Sequence, residues 1–154
     1  MDEIGYRTLK AELEADCDVI ECAASDAKSR FGTASATELE ACAFQLVRCY
    51  NAIEQMGLRI AKACENNIDD EKGWHVELIR RLSLSIPEVR PALFPKEIIA
   101  DLGELRGFRH VVVHAYDLVL KKDRMTALLD ASQRVSVRIR DLTREFLEQL
   151  AKLL

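Results

Sequence analysis

Leu39, Ala43, Leu46, Tyr50, Ile53, Gly57, Ile60 and Cys64 recur at alternating spacings of four and three over about three and a half heptads. A strand, whose side chains alternate with a period of two, cannot carry that stripe on one face. It predicts a long straight helix packed nearly antiparallel against a neighbour. Thr37 is the expected cap, and Glu38 and Glu40 in the first turn suit the positive end of the helix dipole. Asn66-Asn67 marks the expected end, and Gly57 on the seam leaves room for a second backbone to come close.

The rest of the chain repeats the pattern. From Ile4 to Arg30, Tyr6, Leu9, Leu13, Ile20, Ala27 and Phe31 recur at spacings of three, four or seven, and Gly32 closes the helix. A shorter helix is expected from Asp70 to Ser85, its apolar face made by Trp74, Leu78, Ile79 and Leu82. The next segment holds all three prolines, Pro87, Pro91 and Pro95, and reads as a connector. Pro95 stands at the start of a fourth helix, where a proline costs least. That helix is expected from Lys96 to Tyr116 with Ile98, Leu102, Leu105, Val112 and Val113 in the core. A short basic loop around Leu120-Lys121-Lys122-Asp123 leads to a last helix from Arg124 to Leu153, with Met125, Leu128, Val135, Ile139, Leu142, Phe146 and Leu153 as its stripe. The expected architecture is all-α: an up-down bundle of four long helices plus a short one, one domain over residues 1–154. Six glycines and three prolines in 154 residues agree with long helices rather than a turn-rich β fold.

No stretch approaches the roughly 20 apolar residues a membrane span needs. Met1-Asp2-Glu3-Ile4 is acidic and lacks a signal peptide's basic-then-apolar order, so a cytoplasmic protein is expected. The five cysteines (Cys17, Cys22, Cys42, Cys49, Cys64) form no Cys-x-x-Cys pair and read as reduced, small apolar residues on helices.

Net charge is −4, but it is unevenly spread. Residues 1–40 hold ten acids against four bases, a net of −6. Residues 106–124 hold Arg106, Arg109, Lys121, Lys122 and Arg124 against Asp117 and Asp123, a net of +3. A locally positive site on an acidic body can steer a phosphate backbone.

Within that positive segment lies Arg109-His110-Val111-Val112-Val113-His114-Ala115-Tyr116. Arginine is a permanent cation whose planar fork fits phosphate oxygens, and histidine exchanges a proton near neutral pH. A phosphate clamp beside a proton shuttle suits cleavage of a phosphodiester. On an ideal helix His110 and His114 share a face, whereas Arg109 and His114 stand about 140° apart. They meet over one phosphate if the helix frays after Val113, if the arginine reaches around, or if two chains bring their copies together. A metal bound by His110 and His114 needs a third ligand, and no acid stands where a His-Glu-x-x-His motif puts one. His75, the remaining histidine, reads as a structural residue.

Arg109, the polar His110 and His114 resemble the R-x4-6-H signature of the HEPN superfamily. Tyr116 extends the likeness to R-x4-H-x-Y, the form seen in HepT-type toxins. In architecture the resemblance covers essentially the whole chain; in sequence it rests on these eight residues, with His110 where HepT proteins often have Asn. It implies a dimeric, metal-independent endoribonuclease toxin with no cofactor, acting on RNA such as tRNA or mRNA. It also implies a separate partner, an MntA-type nucleotidyltransferase antitoxin that adds AMP to the motif tyrosine, here Tyr116. The resemblance assigns proton transfer to His114, phosphate binding and charge stabilisation to Arg109, and a positioning role to His110. Arg106, Lys121 and Lys122 are candidate RNA-backbone contacts. Two other readings remain open: a non-catalytic substrate- or nucleotide-binding partner of a minimal nucleotidyltransferase, and a bundle that serves assembly alone.

Overall fold

The computed structural model describes residues 1–65 and 74–154, with the side chains of residues 74–76 left aside. It contains α1 (Glu3–Phe31), α2 (Ala36–Glu65), α3 (Trp74–Leu82), α4 (Lys96–His114) and α5 (Lys122–Ala151). The fold is all-α. Among the described residues the sole β feature is an isolated bridge between Ile86 and Arg90. None of these helices is long and apolar enough to cross a membrane.

α2 is the hub, packing on α1, α3, α4 and α5. α5 closes the ring against α1 and α4, while α1 and α4 do not touch among the described residues. The 4-3 stripe of α2 is buried from Leu39 to Ile60, and Cys64 is half-buried. A second row, Cys42, Cys49 and Met56, is buried as well, so α2 hides more than one face. Cys17, Cys42 and Cys49 act as apolar filling, whereas Cys22 is exposed; all five are free thiols, and burial pushes Cys42 up to about 11 and Cys49 to about 12. Gly57 does allow a close approach, but of side chains rather than a backbone. A Cβ there would lie 2.6 Å from Leu82 Cδ1 and 3.1 Å from Leu78 Cδ2, so α3 settles its two leucines over the glycine.

The α1–α2 corner departs from the expected capping. Asp2 caps α1 by accepting from the Gly5 amide at 2.8 Å, and Gly32 ends it with φ +47°, a conformation that favours glycine. Ser35, not Thr37, caps α2: its Oγ faces the Glu38 amide at 3.4 Å, and its carbonyl accepts from the Leu39 amide. Glu38 completes a capping box, its Oε2 accepting from the amides and hydroxyls of both Thr33 and Ser35 at 2.8–3.1 Å. The Thr33 hydroxyl first, then the Ser35 amide and hydroxyl, hold this carboxyl down at about 2 instead of its usual 4.5. Because the folded value is depressed, the stabilisation is complete above the ordinary value and is lost as pH falls through about 2. In thermal melts between those two pH values, the wild type should lose stability on acidification more steeply than Glu38→Gln. Equal slopes would contradict the cap.

Several helix ends also differ from expectation. The Asn66-Asn67 stop of α2, the Asp70 start of α3 and the side chains of Trp74 and His75 lie outside the described residues. α3 stops at Leu82 rather than Ser85. The Ser83 hydroxyl donates to the Arg80 carbonyl, and the Leu82 carbonyl is taken by the amides of Leu93 and Phe94. The proline-rich connector is therefore folded back, with Leu93 and Phe94 buried. α4 ends at His114 rather than Tyr116, because Ala115 turns extended (φ −85°, ψ 127°) and Leu120 packs back on the core. Val113, expected in the core, is exposed; Phe108 is buried in α4 instead, and Val112 is half-buried. α5 starts at Lys122, two residues early, and Leu153 lies past its end and is exposed.

Candidate active site

Arg109 to His114 occupy the last turn and a half of α4, where different faces of the helix do different work. Arg109 turns towards α2. Its Nε donates to Asn51 Oδ1 at 2.6 Å, and its Nη2 lies 3.7 Å from Glu54 Oε2. Glu54 is only 6% exposed, whereas the Arg109 side chain keeps 31% of its surface open. A buried carboxylate requires a countercharge, so Glu54 fixes where the guanidinium sits. Below them is the buried Tyr50, whose phenol is pushed up to about 12 by burial and by Glu54, against the fields of Arg106 and Arg109. It therefore stays protonated.

His110 and His114 lie on the exposed side of α4. Their rings stack with centroids 4.4 Å apart and planes inclined by 29°. His114 Nδ1 is 2.8 Å from the His110 carbonyl oxygen. A carbonyl can only accept, so Nδ1 carries the hydrogen, and in the neutral ring Nε2 holds the free lone pair. The stack and this hydrogen bond fix the ring and leave its basic nitrogen outward.

α4 stays helical through His114, so the fray after Val113 does not occur, and no hydrogen bond, ion pair or ring contact joins Arg109 to either histidine. Among the described residues no three His, Cys, Asp or Glu side chains group as metal ligands. Tyr116 follows the helix end in the extended segment and is 99% exposed. Lys121 and Lys122 are exposed at the start of α5, and Arg106 is half-buried on the α4 face near Tyr50.

The profile of a family described as HepT-like protein matches residues 41–150. The chain belongs to the HepT-like family of the HEPN superfamily. The match runs from the first turns of α2 almost to the end of α5 and includes the whole motif. This HepT-like protein is thus of the HEPN type found in toxin–antitoxin systems. No curated protein and no solved structure matches the chain.

Two features of the HepT-like site were missed from sequence. One is the α2 side of the Arg109 pocket: Asn51 and Glu54 flank the apolar stripe and were not singled out from sequence. The signal was a carboxylate at Glu54, beside Ile53 and one turn after Tyr50, on a helix buried on two faces. The other is an apolar surface against the motif. A groove of about 520 Å³ runs between α2 and the 116–121 segment, lined by Phe44, Val47, Val112, Leu118, Val119 and Leu120. Phe44 and Val119 of this lining are exposed, and so are Val111 and Val113 on α4.

Proposed function

We propose that this HepT-like protein is the toxin of a toxin–antitoxin pair and a metal-independent endoribonuclease, acting as a homodimer on RNA. The observation that carries the reading is the held geometry of His114. Its Nδ1–H is spent on a carbonyl, which leaves Nε2 free on an exposed ring, about a turn and a half along α4 from a guanidinium anchored by a buried carboxylate.

In this mechanism His114 Nε2 takes the proton of the RNA 2′-hydroxyl. The 2′-oxygen bonds to the adjacent phosphorus, the bond to the 5′-oxygen breaks, and that oxygen leaves with a proton from an imidazolium of the same cleft. The products are a 2′,3′-cyclic phosphate and a free 5′-hydroxyl. Arg109 stabilises the charge that builds on the non-bridging oxygens. His110 orients the His114 ring, and Arg106, Lys121 and Lys122 bind neighbouring phosphates.

A second copy of the chain supplies what one copy lacks. Arg109 and His114 point to different sides of one helix, and the exposed valines, Phe44 and the groove beside them form an apolar surface suited to a symmetric partner. Neutralisation follows from Tyr116. Its exposed phenol oxygen attacks the α-phosphorus of ATP held by a partner nucleotidyltransferase, and pyrophosphate leaves. The new AMP ester puts bulk and negative charge where the RNA phosphate must sit.

The test uses purified protein, RNA and a chelator. Wild type should cut RNA in EDTA and leave 2′,3′-cyclic phosphate ends. Arg109→Gln and His114→Ala should each be inactive alone. Mixed and allowed to exchange subunits, they should regain cleavage, since the heterodimer reunites one intact Arg109 with one intact His114. No cleavage by wild type would overturn the ribonuclease and leave a binding partner of a nucleotidyltransferase; cleavage without complementation would overturn the composite cleft.

A further inference from the structure

We infer that Asn51 of α2 is a substrate-contacting residue, its carboxamide N–H groups donating to a non-bridging oxygen of the phosphodiester that Arg109 holds. The inference rests on the ribonuclease reading above and extends the site from one helix to two.

Arginine carries only donors, so the group that Asn51 offers to Nε, 2.6 Å away, has to be its oxygen. The carboxamide is planar, with oxygen and nitrogen on opposite arms. Pinning Oδ1 on the guanidinium therefore fixes Nδ2 away from it. Asn51 is exposed, and Nδ2 has no protein acceptor among the described residues. Glu54 engages the same guanidinium at Nη2 from the buried side. The edge carrying Nε and Nη2 is thus committed to α2, and Nη1 keeps its hydrogens.

Nδ2 is thus a donor not committed to the protein, on an amide held against a cation whose side chain is partly open to solvent. An acceptor with several lone pairs and a negative charge fits the pair, and a phosphodiester oxygen has both properties.

The test is Asn51→Ala, assayed with RNA carrying a single phosphorothioate of either configuration at the cleaved bond. Asn51 lies on the surface of α2, so helicity and melting temperature should not fall. Loss of a hydrogen bond to a charged group should lower kcat/KM about tenfold or more. Sulfur accepts hydrogen bonds poorly, so one diastereomer should slow the wild type and slow Asn51→Ala much less. A residue that only steadied Arg109 would leave the response to sulfur unchanged, and that result, or an unchanged rate, overturns the inference. Should the wild type cut no RNA, binding of a 2′-deoxy oligonucleotide followed by fluorescence anisotropy decides the point separately. About tenfold weaker binding by Asn51→Ala upholds the contact without the chemistry. Equal binding, or none by either protein, overturns it.

Discussion

Replacing His114 with Ala is expected to slow RNA cleavage by about 10²–10⁴-fold, the usual contribution of a positioned acid–base group. The fold should not suffer. His114 is exposed, and its ring stacks on the His110 ring and bonds the His110 carbonyl. A surface change of this kind costs within about 0.5 kcal/mol. His114→Asn makes the sharper comparison: it keeps an N–H near the His110 carbonyl but has no basic nitrogen, so it should be as inactive as the Ala variant. His110→Ala should retain more activity than either, because it removes the stacked ring without removing the carbonyl that fixes the tautomer. Single-turnover rates on one defined RNA measure all three. A His114→Ala rate within threefold of wild type would remove His114 from the chemistry.

The largest effect on stability is expected away from the site, at Arg90. This side chain is 0% exposed and lies where the proline-rich connector folds over the end of α2. Its Nε donates to Glu65 Oε1 at 2.7 Å, Nη1 to the carbonyls of Leu84 (2.8 Å) and Pro91 (3.1 Å), and Nη2 to that of Arg81 (3.0 Å). Glu65 is itself only 5% exposed; its Oε2 lies in ion-pair range of Arg81 but not in hydrogen-bond geometry. Arg90→Ala leaves that carboxylate short of its main partner and strips donors from three backbone carbonyls. Breaking one side of a buried pair costs about 3–5 kcal/mol, a large part of a typical 5–15 kcal/mol domain stability. Lysine should not rescue it, since one ammonium cannot reach four acceptors in a planar fork. Urea denaturation with an unchanged m-value reads the loss directly. A cost under about 1 kcal/mol would mean that the connector is not held by Arg90.

The contrast between these two residues shows what was legible in the sequence. Helical period is a local property. Leu39 to Ile60 therefore announced α2 and its buried face, and Gly32 announced the end of α1. Charge and chemistry within one helix were equally readable, so Arg109, His110, His114 and Tyr116 stood out together. Contacts between distant segments were not. Nothing near Arg90 tells that it will meet Glu65 and vanish from the surface; a proline-flanked arginine reads as solvated. Asn51 and Glu54 gain meaning only when α4 is laid against α2. The helix ends failed for a related reason. Val111 to Val113 continue an apolar run, yet α4 stops at His114, the chain turns back so that Leu120 meets the core, and Val113 is exposed. The Thr37 cap went wrong by two residues because Ser35, Thr37 and Glu38 all suit the first turn. The capping box chose Ser35, since Glu38 stands three residues after it.

The central claim is that an unmodified chain cuts RNA through His114. Wild type and His114→Ala should each be expressed alone, without any nucleotidyltransferase partner, while growth and total RNA are followed. The account predicts growth arrest with new RNA fragments for wild type, and neither for His114→Ala at equal protein level. Unimpaired growth with intact RNA for both proteins, or arrest and fragments for both, would contradict it.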